Sequence, residues 1–220
     1  MHIEIKQIEN ELYSAKFLIE RNHEKVGELS IQGWMGGIDG NWDIVYKDVH
    51  LTMEPVQYQQ FKEIEPNAFK PYRPQIIMRK EEIIGYLYDT QADKGFLKNM
   101  LGNETSYRKI MYRNDTYNSY AMSPGKKEGG KNCIYNALEE QIALVEWPVE
   151  VYDGLYNLHV IAKDDDAILI AILNLCMGYV YSGFHPGEKI KKGYQKFYGV
   201  TFDKFLLSKY DPNFKIMYDD

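Results

Sequence analysis

At 220 residues, 45% hydrophobic and 26% charged, the chain has an ordinary globular balance and enough apolar residues for a core without staples. A net charge of −6 and a pI of about 5.5 argue against a general nucleic-acid binder, whose surface is basic. Two isolated cysteines, Cys133 and Cys176, make neither a disulfide framework nor a zinc motif and fit a reducing cytoplasm.

The opening residues, MHIEIKQIENELY, lack the apolar run of a secretory signal, and neither end carries a lipidation motif. Residues 2–7 alternate apolar and polar, the period of a strand. KFLIE (16–20) and VGELSI (26–31) flank the polar residues 21–25 and read as a hairpin. GWMGGIDGN (33–41) carries four glycines and reads as a loop. Strand character resumes at 42–46 and 49–53. Residues 54–74 then break the pattern with Pro55, Pro66, Pro71 and Pro74, and read as an insertion with room for a short helix at 56–64. Strands follow at 75–78, 83–88, 107–112 and 116–122, with Gly85 marking a bend and 93–103 a loop or single helical turn. SPGKKEGGK (123–131) is a polar, glycine-rich loop between strands. Residues 133–135 and 142–147 are strands about a turn, and 149–152 and 155–162 flank Asp153-Gly154, a tight-hairpin signal.

The run AILIAILNLCMGYV (167–180) follows three carboxylates, Asp164, Asp165 and Asp166, which suit the start of a helix. A helix apolar on all sides has no face for water and must be enclosed. It falls short of the roughly 20 residues that span a bilayer, so a buried core helix over 164–181 is expected and no transmembrane segment. Asn174 within it then needs hydrogen-bond partners, most simply backbone groups at a strand bend. SGFHPG (182–187) ends the helix. Beyond it lies a basic, aromatic tail, 188–220, with a short helix at 202–208 capped by Thr201.

About a dozen strands before one apolar helix predict a mainly β fold. A sandwich has no room for that helix, whereas a closed antiparallel barrel does. The expected organisation is a barrel over 1–187, with the insertion at 54–74 and the central helix at 164–181, and the tail packed against its outside.

Three stretches carry a resemblance. They are KFLIERNHEKVGELSI (16–31), QIALVEWPVEVYDGLYNLHVIAKDDD (141–166) and the apolar helix. Their order is similar to that of the tubby C-terminal superfamily, which includes LURP-one-related proteins and phospholipid scramblases. The resemblance covers the ends of the barrel better than its middle. It rests on patterns of hydrophobicity and turns rather than on a chemical signature. It implies a twelve-stranded barrel around a hydrophobic helix. It also implies a non-enzymatic binding module acting at membranes through phosphoinositide or other lipid contact, or through protein partners. The insertion and the long tail depart from the family pattern. The basic residues that family members use on lipid match no motif here, so none is carried over.

Chemistry-bearing motifs are few. Residues 125–131 match G-x-x-x-x-G-K, but Asn132 stands where a phosphate loop needs Ser or Thr for magnesium. The alternative function, a nucleotide binder or enzyme, rests on this loop. Lys126, Lys127 and Lys131 lie close together in it, and Lys189, Lys191, Lys192 and Lys196 are interleaved with aromatics in the tail. These seven lysines are the candidate contacts for anionic lipid or phosphate. His159 with Asp165 and Asp166 follows no metal-loop spacing, and strand plus helix cap is the better reading. No catalytic residue or cofactor is assigned. The expected partner is an anionic membrane surface, met peripherally from the cytoplasm, or a protein. A third reading, a structural or oligomerising protein, would use 54–74.

Overall fold

The computed structural model describes residues 1–11, 14–32, 40–68, 74–92, 105–153, 155–181, 194–196 and 199–218. The first half of the chain gives β1 (His2–Asn10), β2 (Ser14–Arg21), β3 (Glu24–Gln32), β4 (Asn41–Tyr46), β5 (Val49–Pro55), helix α1 (Tyr58–Ile64), β6 (Gln75–Arg79) and β7 (Glu82–Gln91). Then come β8 (Ser106–Tyr112), β9 (Asp115–Met122), β10 (Lys131–Tyr135), β11 (Gln141–Glu146), β12 (Glu150–Tyr152) and β13 (Asn157–Ala162). The chain continues with α2 (Asp165–Tyr181), β14 (Tyr194–Lys196), α3 (Lys204–Leu207) and α4 (Asn213–Tyr218). Twelve strands close into one antiparallel barrel in the order β1-β13-β11-β10-β9-β8-β7-β6-β5-β4-β3-β2, so the fold is mainly β.

Period-two alternation sets which side chains turn inward. Along β2, Ala15, Phe17 and Ile19 are buried while Lys16 is exposed, and β3 repeats this with Leu29 and Ile31. The inward residues of β1, β4, β5, β8 and β13 continue the same core, among them Ile5, Trp42, Met53, Ile110 and Val160. Ala167 through Met177 of α2 are all buried, and the apolar ones belong to this same cluster. At 1.5 Å per residue the 17-residue helix is about 25 Å long. No helix among the described residues is long and apolar enough to cross a membrane.

Ion pairing fixes the start of α2. Asp164 caps it, accepting from the Ala167 N–H at 2.8 Å. Asp165 turns to the barrel wall instead, accepting from Arg21 at 2.5 Å, Lys47 at 2.5 Å and the Tyr46 hydroxyl at 2.8 Å. Burial pushes the Asp165 carboxyl up, but Lys47, Arg21 and Tyr46 outweigh it and hold the group well below the usual carboxylate range.

Three local expectations are corrected. The Asp153-Gly154 hairpin does not form as a strand pair: β12 pairs with β14 in a separate two-stranded sheet, and only a single bridge joins Tyr152 to Leu155. The seam of the barrel decides this, because β13 is already paired on one side with β1 and on the other with β11. The tail helix starts at Lys204 and is capped by Asp203, which accepts from the Phe205 N–H at 2.9 Å, whereas Thr201 bonds to Ser123. The partner of Asn174 is a side chain, Arg108, not strand backbone.

Residues 199–218 pack outside the barrel, where Phe205, Leu206, Tyr210, Phe214 and Tyr218 cover Tyr120, Met122, Cys133, Leu144 and Ile161. Helix α1 closes another outer patch. Phe61 is buried against Tyr86 and Tyr88 of β7, with ring centroids 5.5 and 5.1 Å away. Gly85, immediately before Tyr86, faces a register shift in β6, and a Cβ on it would stand 2.2 Å from the Met111 carbonyl oxygen.

Leu173 is fully buried in α2. Leu173→Ala should cost about 2–5 kcal/mol in urea unfolding. Leu173→Asp should abolish the native near-UV dichroism altogether, since the charge has no solvent there. A second prediction concerns Asp165. Its folded pKa lies below the ordinary 3.8, so its contribution is present above that pH and is lost as the pH falls through the folded value. Asp165→Asn should cost about 1–2 kcal/mol at neutral pH, allowing for partial exposure. Melting temperatures of variant and parent should converge below pH 3.8.

Candidate functional site: the open end of the barrel

The two ends of the barrel differ. At the end where α2 begins, strands are joined by tight turns at residues 22–23, 47–48, 80–81 and 113–114 and by a short loop at 136–140. Asn22, His23, Lys47, Lys80, Arg113 and Glu139 in these turns take left-handed backbone angles, which match the twist of the flanking strands. At the other end the connections are longer: β3–β4, β5–β6, β7–β8, β9–β10 and β11–β13 all leave from there. Long connections carried on a rigid scaffold are where binding groups concentrate.

At this open end the inward row turns polar. Arg108 of β8 stands beside Asp89 of β7 and Ser119 of β9 in strand register. The phase set by Ile110 and Tyr112 directs Arg108 into the barrel. Its Nε donates to Asp89 Oδ1 at 3.3 Å, and its Nη1 donates to Asn174 O at 3.0 Å and Asn174 Oδ1 at 3.2 Å. The side chains of Arg108 and Asp89 are only 12% and 7% exposed. Burial raises the Asp89 pKa against the opposing pull of Arg108. Ser119 is buried, and its Oγ has no hydrogen-bond partner among the described residues. Asn132 of β10 accepts at Oδ1 from the Trp147 indole N–H at 2.5 Å. These groups line a cavity of about 450 Å³. Ser106 and Ala121 lie on the same inward phase yet are exposed, so solvent enters here.

The tail is strapped over the rim of this mouth. Thr201 donates its N–H to Ser123 O at 2.8 Å and accepts from the Ser123 N–H at Oγ1, also at 2.8 Å. Two residues on, Asp203 accepts from the Thr105 hydroxyl. Phe202, held between these two anchors, is 87% exposed. Lys204 follows it, also exposed.

The seven candidate lysines separate. Lys126 and Lys127 are exposed on the turn just after Ser123, with Glu128 folding back on Gly125. Lys131 is turned to the outer face, buried, and paired with Glu146, which Lys215 also reaches at 2.7 Å. Burial would raise the Glu146 pKa, but the two lysines more than offset it and hold it low. Lys189, Lys191 and Lys192 lie outside the described residues, and Lys196 is on β14. Gly129 and Gly130 of this loop pack on Trp147: Gly129 has φ +70°, and a Cβ on it would stand 2.2 Å from the Trp147 carbonyl oxygen. Lys131 itself opens strand β10.

The other sequence candidates are dispersed. His159 pairs with His2, Nδ1 to Nε2 at 3.0 Å, on the outer face, away from Asp165. Burial lowers the His159 pKa, helped by His2. Among the described residues no group of three or more His, Cys, Asp or Glu side chains is placed to hold a metal ion. Both cysteines are buried, and burial pushes the Cys133 thiol up to about 12. The loops at 33–41 and 93–103 lie largely or wholly outside the described residues.

Arg108, Asp89, Ser119 and Phe202 were not among the sequence candidates. A signal for Arg108 existed: it shares the inward phase of Ile110 and Tyr112, and the buried Asn174 needed a partner. Phe202 had none, because only the anchors on either side keep it exposed. No known protein family, curated protein or solved structure matches the chain.

Arg108→Met should cost about 3–5 kcal/mol in urea unfolding, because it leaves the Asp89 carboxylate buried without its partner. The double variant Arg108→Met with Asp89→Leu should recover most of that loss. A double variant no more stable than Arg108→Met alone would show that Asp89 is not the group left unpaired.

Proposed function

We propose that this chain is a non-enzymatic binding module of the tubby-like kind, a barrel with its apolar helix along the axis, that docks its open end on an anionic membrane surface. The observation that carries the reading is Phe202. A large apolar side chain left 87% exposed, between a residue bonded to Ser123 and one bonded to Thr105, is presented rather than merely unburied. Lys126 and Lys127, in the turn that follows Ser123, and Lys204, next to Asp203, are exposed in the two segments that the tail anchors join. An aromatic that enters the interface, ringed by lysines that meet anionic headgroups, is the usual composition of a peripheral membrane contact. The burial of Ala167 through Met177 among barrel side chains supports the tubby-like part of the reading.

Nothing comparable supports the two other readings. The lysine of the 125–131 motif is held by Glu146 on the outer face and begins a strand, not the helix that a phosphate loop needs. The insertion at 54–74 lays Phe61 on its own barrel, which leaves less apolar surface for a partner.

The test is co-sedimentation of the full chain with liposomes. Binding should require anionic lipid and weaken steeply as salt rises. Lys126→Ala with Lys127→Ala should weaken it by about 2 kcal/mol, roughly 30-fold. Phe202→Ala should weaken binding and leave its salt dependence unchanged. Equal binding to neutral and anionic vesicles, or none to either, would refute the reading.

A further inference from the structure

We propose that the mouth cavity binds a small zwitterionic group, with the anion at Arg108 Nη2 and Ser119 Oγ and the ammonium at the free oxygen of Asp89. The inference does not depend on membrane docking by the rim.

The case begins with unused hydrogen-bonding capacity. The guanidinium of Arg108 uses Nε on Asp89 and Nη1 on Asn174, and Nη2 has no partner among the described residues. Asp89 uses Oδ1 alone, and its Oδ2 has none there either. Ser119 Oγ, on a residue only 2% exposed, is likewise unpartnered, although buried hydroxyls are almost always bonded. All three residues line the same cavity. Of the three, the Ser119 hydroxyl is the one fully cut off from solvent, and leaving it unfilled is costly unless something occupies the site part of the time. Arg108 Nη2 and Asp89 Oδ2 are free to meet a ligand.

Their order then specifies the ligand. Ser119, Arg108 and Asp89 stand in one row on β9, β8 and β7, each step one strand spacing of roughly 5 Å. Donors occupy one side of the row and an acceptor the other. A lone anion at Arg108 would face the Asp89 carboxylate, and a lone cation at Asp89 would face the guanidinium. Because the pair is already neutral, a ligand with both charges about one strand spacing apart satisfies each without leaving a net charge in a poorly solvated place. The Asp89 side chain is only 7% exposed there, and that burial raises its pKa. Trp147 and Ala121 offer apolar wall to whatever the zwitterion is attached to, and a cavity of about 450 Å³ is of ordinary ligand size. Phosphoethanolamine has this charge spacing, free or as a lipid headgroup.

Isothermal titration of the full chain with glycerophosphoethanolamine, whose phosphodiester carries a single negative charge, tests the idea, with dimethyl phosphate and ethylammonium as its two single-charge halves. The whole compound should bind saturably, and each half at least about tenfold more weakly. Ser119→Ala, which alters one unpartnered hydroxyl and should leave the fold intact, should weaken binding about fivefold to tenfold. Asp89→Asn makes the site net positive and should reverse the preference towards dimethyl phosphate. Vesicles of phosphatidylcholine, with and without phosphatidylethanolamine, separate the sources. Added retention on the ethanolamine lipid assigns the site to a headgroup, and binding in solution alone assigns it to a free compound. No binding to either form, halves that match the whole, or a Ser119→Ala variant with unchanged affinity would each overturn the proposal. Failure of the anionic-liposome test would leave these titrations unaffected.

Discussion

A helix with no polar side cannot rest on a surface, and this chain meets that constraint by burying it. Over Ala167–Met177 every residue of α2 is buried, and its neighbours are the inward side chains of barrel strands. Twelve antiparallel strands leave no free sheet edge and give the core a continuous wall. Apolar packing of this kind has no direction, so it does not by itself fix how far the helix slides or turns. Polar contacts supply that. Asp165 is held at one end by Arg21, Tyr46 and Lys47, and Asn174 is held further along by Arg108.

The same arrangement separates stability from function along one axis. Where α2 begins, strands return through short turns that need left-handed residues and leave little chain to vary. Where α2 runs out, the connections lengthen, the inward row becomes polar and the tail crosses the rim. The outer wall is closed in two places by the chain itself: the tail aromatics on β9, β10, β11 and β13, and Phe61 on β7. Those coverings leave the open end as the part of the barrel that the described chain does not close over.

What could be read from the sequence follows from which signals are local. Alternation of period two placed the strands from 16–31 through 142–147, because each strand has one face inside and one outside. The apolar run and its three acidic residues marked α2 to within a residue, 164 expected against Asp165 found. Strand partners are not local. Asp153-Gly154 looked like a hairpin, but the pairing of β13 was already taken by β1 and β11. Caps are likewise decided by competition: Thr201 is a good cap by type, yet its hydroxyl is bonded to Ser123 and Asp203 does the capping. The lysine candidates separate for a related reason. Proximity in sequence put Lys131 with Lys126 and Lys127, whereas strand phase turned it outward to Glu146.

The polar set in the mouth is not demanded by the fold. Asn174, Arg108 and Asp89 satisfy one another, but a buried ion pair replaced by well-packed apolar residues is often neutral or stabilising. The strands beside them show that the barrel can use such residues, since Leu87, Ile110 and Ile134 occupy neighbouring inward positions. Packing therefore does not account for a desolvated arginine, an aspartate with a raised pKa and an unbonded serine in one row. They stand at the end that opens to solvent, beneath the rim that holds Phe202 outward. The Arg108–Asn174 contact holds α2 in place, and the binding proposed for that end accounts for the rest of the row and for the outward Phe202 together.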